Sequence, residues 1–420
     1  MIEKLIIAHY IETLRFVRSH LVFNDRTDPS DYKVEHHYIV PKFTKSSQIG
    51  PSVKVATEFI KSKNKHIFTN LGEINAILVR LRPNVLLASN PPKQDVYETC
   101  KRLSIKIYYM RHGIANKFAI ANHNATPPAS YFTKFDGYFT HPSERYQYTR
   151  YAISNSKIHD INGSPQIDYL LGLDLTESRQ KVLSSISNRT GKFTYPLAME
   201  DSLLVKNPKC ILLLQNHQGV AKYDMERNKR PEAVKEYVMI LDELVNYAKL
   251  KSNDPIRPQR VHILSKIKGN GGDLAKIMSD KNNKWGKRME TLHNDPAVTL
   301  LFWTQEIPMY NFLFSDVVVV EACGTSLPES YIVNPRTIQC QILAHNDFYD
   351  IDRYPKLSQA NNLNELTTEL DRLLNTTDDK LLTPEFEKQR EAFIAQFYGT
   401  ILNPNTNKDI IDRIVDENRR

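Results

Sequence analysis

One rhythm narrows what this chain can fold into more than any single residue does. Short runs of β-branched and aliphatic residues alternate with longer segments whose apolar residues recur every three or four positions, and the whole pattern occurs twice. Such alternation marks a parallel sheet covered by helices, because each strand needs a crossover to return the chain to the same edge. In the first half, strands are expected at residues 37–41, 66–70, 85–89, 105–110, 137–141 and 158–162, and helices at 74–81, 95–103 and 143–152. Residues 2–23 read either as a strand followed by a helix or as one long helix. In the second half, strands are expected at 210–214, 261–265, 298–303, 317–321 and 337–343. Between the first two of these, Val234, Val238, Leu241, Val245 and Ala248 repeat at helical spacing.

A chain of 420 residues exceeds what one hydrophobic core organises, so two domains are expected. The pattern loosens after residue 176 and resumes at Asn207-Pro208. This places an N-terminal Rossmann-like domain at 1–176, a linker or insertion at 177–207, a second Rossmann-like domain at 208–345 and C-terminal helices at 346–420. Leu363, Leu366, Leu370 and Leu373 mark the first of those helices; Thr383-Pro384 opens the next and Gly399 closes it.

Composition excludes several classes. The longest apolar runs, 211–214 and 317–320, fall far short of the roughly 20 residues a bilayer crossing needs. The first residues lack the basic start and small-residue cleavage site of a signal peptide, so a cytoplasmic protein is expected. Cys100, Cys210, Cys323 and Cys340 have no metal or redox spacing and sit in or beside apolar runs, which suits a reducing compartment. The net charge of +8 asks for an acidic partner. Its basic residues are dispersed and no RNA-binding aromatic motif is present, so a phosphorylated substrate or an anionic membrane face is expected rather than nucleic acid. Asp350-Ile351-Asp352 is formally an Asp-x-Asp motif, but it follows the last expected strand and reads as coincidence. Neither a metal nor a bound cofactor is expected.

Open parallel sheets bind ligands beyond the carboxyl ends of their strands, so the residues just after each expected strand carry the functional reading. Val317 to Val320 and Glu321 run into Ala322-Cys323-Gly324-Thr325-Ser326-Leu327-Pro328-Glu329. Gly324 permits close backbone approach, Thr325 and Ser326 offer hydroxyls, and a helix beginning there presents free N–H groups to an anion. Glu329, one turn on, has the chemistry to accept from ribose hydroxyls; a plain capped turn accounts for the same residues. This run, with Asn334-Pro335-Arg336-Thr337-Ile338 after it, resembles the donor-binding segment of GT-B transferases such as the lipid-A-disaccharide synthases. The resemblance implies that Gly324 and Thr325 meet donor phosphates and that Glu329 meets the ribose. Pro328 departs from the usual aliphatic residue.

Two further segments extend the resemblance. Gly163-Ser164-Pro165-Gln166-Ile167-Asp168-Tyr169-Leu170 is similar to a Gly-x-Pro-x-x-Asp-x-Leu segment of the non-hydrolysing UDP-N-acetylglucosamine 2-epimerases and the CDP-glycerol glycerophosphotransferases. It implies that Gly163, Ser164 and Asp168 face the acceptor side of a cleft, although an ordinary β-to-α turn reads the same way. Arg111-His112-Gly113 resembles the His-Gly of the CDP-glycerol transferases, whose histidine serves as base toward the acceptor hydroxyl. Arg111 and Ile114 depart from that family's flanking residues, and Arg111 suits a bidentate phosphate contact. His217, after the strand at 210–214, and Lys266 and Lys268, after the strand at 261–265, are further candidates for the donor phosphates.

The expectation is therefore an α/β chain of GT-B type, with two Rossmann-type domains whose parallel sheets face a central cleft and C-terminal helices closing the hinge. The resemblance implies metal-independent transfer of a glycosyl or polyol-phosphate group from a nucleotide-diphosphate-linked donor to a glycan or lipid-linked acceptor, as in cell-surface polysaccharide biosynthesis. A 2-epimerase-like isomerase and a non-catalytic binding protein of the same shape are the alternatives.

Overall fold

The computed structural model describes residues 4–11, 20, 23, 33–41, 64–110, 134–140, 157–161, 163–187, 208–215, 231–266, 284–301, 312–321, 326–343, 351–399 and 405–418. The chain divides into two compact units, Met1–Gly172 with Ile394–Arg420, and Leu173–Phe393.

In the first unit, seven strands pair entirely in parallel: β1 (Lys4–Tyr10), β2 (Lys33–Pro41), β3 (Lys65–Phe68), β4 (Val85–Ala88), β5 (Lys106–Met110), β6 (Gly137–Thr140) and β7 (Lys157–Asp160). Their order across the sheet is β3-β2-β1-β4-β5-β6-β7. The central strands β4, β5 and β6 are buried on both faces because both are covered. Ala8, Tyr10, Leu86, Ala88, Ile107 and Tyr109 pack with Ile74, Ile77 and Leu78 of the helix Leu71–Leu81 and with Val96 and Cys100 of the helix Gln94–Arg102. Leu5, Ile7, Val85, Leu87, Tyr108 and Met110 pack on the other face with Ile410, Ile411, Ile414 and Val415 of the last helix, Thr406–Asn418. The ambiguous start resolves as a strand, β1, with His20 and Phe23 helical beyond it.

The second unit repeats the plan with β8 (Lys209–Gln215), β9 (Val261–Lys266), β10 (Val298–Leu301), β11 (Val317–Glu321), β12 (Thr337–Cys340) and β13 (Ser358–Ala360), all parallel, in the order β10-β9-β8-β11-β12-β13. The helix Pro231–Ser252 contains the apolar repeat read from the sequence. The helix Leu175–Ser187 docks here through Arg179, whose guanidinium lies 2.6 Å from Asp316; the same carboxylate accepts from the Cys210 N–H at 2.7 Å. β13 and the helix Lys284–His293 were not expected. Ser358-Gln359-Ala360 carries no β-branched residue and becomes a strand through its register with Ile338, Gln339 and Cys340. The C-terminal helices start and stop as their residues dictate. Asn362 Oδ1 accepts from the Glu365 N–H and Glu365 Oε2 from the Asn361 N–H at the start of the helix Leu363–Asn375, and Gly399 takes φ 82° after the helix Pro384–Tyr398.

In both sheets the chain starts in the middle, builds toward one edge and then crosses to build toward the other. The order reverses between β1 and β4 in one unit and between β8 and β11 in the other. At such a point the connections leave in opposite directions and open a crevice at the carboxyl ends, where ligands of open α/β sheets bind. Cys100, Cys210 and Cys340 are free and buried, and no described helix is long and apolar enough to cross a membrane.

Candidate ligand sites at the two switch points

In the second unit, β8 ends at Gln215 and β11 at Glu321, and these two residues are ladder partners. Lys266 ends β9 level with Leu214. The fold thus sets side by side the strand ends that lead into three of the segments singled out from sequence. His217, Lys268, Gly324 and Thr325 themselves lie outside the described residues. Ser326 opens the helix Ser326–Val333, where its carbonyl accepts from Ser330 Oγ at 2.6 Å. Glu329 lies in the first turn and is only 2% exposed, so its carboxylate is enclosed by protein.

Beneath this crest lies a buried polar layer that the sequence reading did not single out. Glu321 is fully buried, and neither carboxylate oxygen finds a hydrogen-bond partner among the described residues. Burial, helped by the nearby Glu236, holds its pKa well above the ordinary carboxylate value. Glu236 is also buried, but its Oε1 accepts from the Ile342 and Leu343 N–H groups at 2.6 and 3.2 Å. Tyr237 Oη lies 2.5 Å from Ser265 Oγ and 2.8 Å from His293 Nε2. A carboxyl kept protonated differs from a carboxylate in one chemical respect: it donates as well as accepts. The sequence signal was a glutamate closing a run of four valines, a charge with no solvent-facing alternation to explain it.

The first unit's candidates separate in the same way. Arg111, His112 and Gly113 follow β5 and lie outside the described residues, as does the expected helix at 143–152. Gly163 takes φ 97° and donates its N–H to the Tyr398 carbonyl at 2.7 Å. Ser164 caps the helix Pro165–Leu171, accepting from Gln166 N at 3.2 Å. Asp168 is fully buried and accepts from Asn407 N at 2.9 Å, in the first turn of the last helix. Gly163 and Asp168 thus tie residues 163–168 to the C-terminal segment.

At this unit's switch point stands a set of histidines, also not singled out from sequence. His9 on β1 lies with Nδ1 2.9 Å from His20 Nδ1 and Nε2 2.8 Å from His36 Nδ1, and His20 Nε2 lies 3.3 Å from Ser89 Oγ. His9 stacks on Tyr38 at 4.7 Å and packs against Phe23. Burial lowers the pKa of His20 to about 3 and of His36 to about 4, and holds His9 well below the ordinary value. All three are therefore neutral at pH 7. On the opposite face of β2, His37 lies 2.9 Å from His66 and 2.7 Å from Glu35, which also pairs with Lys4. Among the described residues no group of histidine, cysteine, aspartate or glutamate is arranged to hold a metal.

No family model and no curated protein matches the sequence. Solved structures do. The UDP-GlcNAc 2-epimerase of Neisseria meningitidis, solved with UDP-GlcNAc, superposes with a TM-score of 0.56 at 10% identity, over 98% of this chain and 100% of that one. The S. aureus protein MnaA, solved with UDP, gives 0.53 at 10% identity over 98% and 96%. The wall teichoic acid polymerase TagF gives 0.53 at 12% identity over 99% and 89%. The fold is GT-B. At these identities the fold is what is shared, and the GT-B plan accounts for the two parallel sheets with matching strand orders.

Proposed function

We propose that this GT-B chain transfers a glycosyl or polyol-phosphate group from a nucleotide-activated donor to a hydroxyl of a glycan or glycolipid precursor. The observation that carries the reading is the second unit's switch point, where β9, β8 and β11 end side by side, Lys266 level with Leu214 and Gln215 level with Glu321, at the strand that leads into the helix Ser326–Val333. That arrangement suits a nucleotide diphosphate. Free N–H groups at the helix start, with Gly324, Thr325 and Ser326, take the phosphates, and Lys266, Lys268 and His217 offset charge growing on the leaving group. The first unit receives the acceptor, with Arg111 and Gly113 beside His112 and with Gly163, Ser164 and Asp168 shaping its support. His112 accepts the hydroxyl proton, and neither metal nor bound cofactor takes part.

An isomerase of the 2-epimerase kind is the second reading, favoured by the buried acid–base groups at both switch points, which an isomerisation without acceptor would need. A panel of UDP-, CDP- and GDP-linked donors, screened by thermal shift and then for turnover with and without acceptor, separates the two. Transfer requires the acceptor; epimerisation proceeds without it. For transfer, His112→Ala should leave donor affinity nearly intact and lower kcat by about 10²–10⁴, the usual worth of a positioned base. Lost donor binding would make His112 a phosphate ligand instead, and full activity would remove it from the site.

A further inference from the structure

The second unit has an opening at the other end of its sheet as well. There β8, β11 and β12 start side by side, at Lys209, Val317 and Thr337. Beside these starts a cavity of about 450 Å³ opens to solvent, lined wholly by residues of this unit. That volume is within the range of sites for small organic molecules. Asp316 in its wall and Glu321 at the switch point lie at opposite ends of β11, five residues of extended chain or about 16 Å apart. The cavity is therefore separate from the candidate donor site.

Its wall has cationic donors to spare. Lys209 Nζ lies 3.4 Å from Asp316 Oδ1, at the outer limit of a hydrogen bond, and the lysine side chain is 38% exposed. Asp316 already accepts more closely from Arg179 Nη2 at 2.6 Å and from the Cys210 N–H at 2.7 Å. One carboxylate thus faces two cations, and one positive charge is left over. Arg336, just before β12, donates Nε to the Leu373 carbonyl at 3.1 Å, Nη2 to the Thr376 carbonyl at 2.5 Å and Nη1 to Asp378. These bonds fix the guanidinium with three of its five N–H groups and leave two. The Asp378 side chain is 72% exposed, so water screens its charge. Phe314 and Leu175 make another part of the wall apolar, and Leu175 is 63% exposed. Capping the helix Leu363–Asn375 accounts for the bonds of Arg336, but it explains neither the loosely held lysine nor the uncovered leucine.

We propose that this cavity is a second ligand site, for a small organic anion whose phosphate or carboxylate is held by Lys209 and Arg336 and whose apolar body covers Leu175 and Phe314. The starts of β8 and β12 lie two strand spacings apart, about 10 Å, with β11 between them, so two long side chains reach one anionic group from either side. Arg336 meets the anion with N–H groups already fixed in a plane, and Lys209 meets it as a point charge. Burying Leu175 against the ligand removes apolar surface from water, which favours an anion with a hydrocarbon or aromatic body over a bare ion. The site does not depend on the transfer reading and is not offered as part of its chemistry.

The test is isothermal titration calorimetry on the full chain with four probes. Phenyl phosphate and benzoate carry both anion and apolar body; inorganic phosphate and benzyl alcohol carry one each. An aromatic anion should bind saturably at one site per chain and more tightly than either single-feature probe, and the tighter of the two identifies the head group. Lys209→Met keeps the aliphatic stem and leaves Asp316 its bond to Arg179, and it should weaken that anion about 10-fold or more. Leu175→Ser should weaken the aromatic anion and leave inorganic phosphate unchanged. Because Leu175 is largely exposed, this variant keeps the test valid if Lys209→Met fails to fold. Lys266→Ala, at the switch point, should leave the binding of all four probes as it was. Absence of saturable binding by both aromatic anions overturns the proposal, as does an affinity that survives Lys209→Met and Leu175→Ser. Binding abolished by Lys266→Ala and kept in the other two variants also overturns it, because the anion then sits at the carboxyl ends of the strands.

Discussion

Acidification should loosen the first unit's sheet well before ordinary acid denaturation. His20 and His36 titrate near 6.5 when unfolded but at about 3 and about 4 in the fold. Below pH 6.5 the unfolded chain therefore binds protons that the folded chain refuses, and stability falls as pH drops until the folded values are reached. At pH 4.5 the unfolded rings lie two units below their pKa, which removes about 2.7 kcal/mol through His20 and about 2.5 kcal/mol through His36. Their sum, about 5 kcal/mol, is comparable to the whole stability of many domains, and His9 acts in the same direction. With His20 and His36 refusing protons, the slope near pH 5 approaches about 2.5 kcal/mol per pH unit, and His9 adds to it in the same direction. Hydrogen exchange by mass spectrometry, corrected for intrinsic rates, reads this locally. Peptides covering β1 and β4 should lose protection between pH 6.5 and 4.5, and peptides covering β8 and β11 should not follow them. Protection of β1 and β4 that persists unchanged to pH 4.5 would refute the argument, because the rings would then accept protons in place.

Two further perturbations follow from single contacts. Glu321→Gln replaces a buried protonated carboxyl with a neutral amide of the same shape. Wild-type stability should fall as pH rises through the raised folded pKa of Glu321 and the variant should lose that fall, so the difference in melting temperature between the two should move in the variant's favour toward alkaline pH. Asp168→Ala strips the acceptor from Asn407 N, and urea unfolding should show a loss of about 1–3 kcal/mol with donor affinity unchanged. A Kd that moved with it would place Asp168 at the ligand after all.

Where buried strands lie, and that they run parallel, was readable from the sequence, since a strand covered on both faces must be apolar on both. Val317-Val318-Val319-Val320 declares β11 unaided, just as Thr383-Pro384 and Gly399 declare the ends of a helix; these are local rules, settled within a few residues. β13 escaped because Ser358-Gln359-Ala360 has no strand character until β12 lies beside it. The strand order also escaped, since register between distant segments is decided by how whole faces pack and not by any one run. The switch points follow from that order alone. His9, His20, His36 and Ser89 are scattered over eighty residues and look like isolated polar residues until β1 takes its place between β2 and β4. Glu321 was visible as a residue, but its protonation was not. Only the covering helix Pro231–Ser252 and the neighbouring strands remove the water that would otherwise keep it charged.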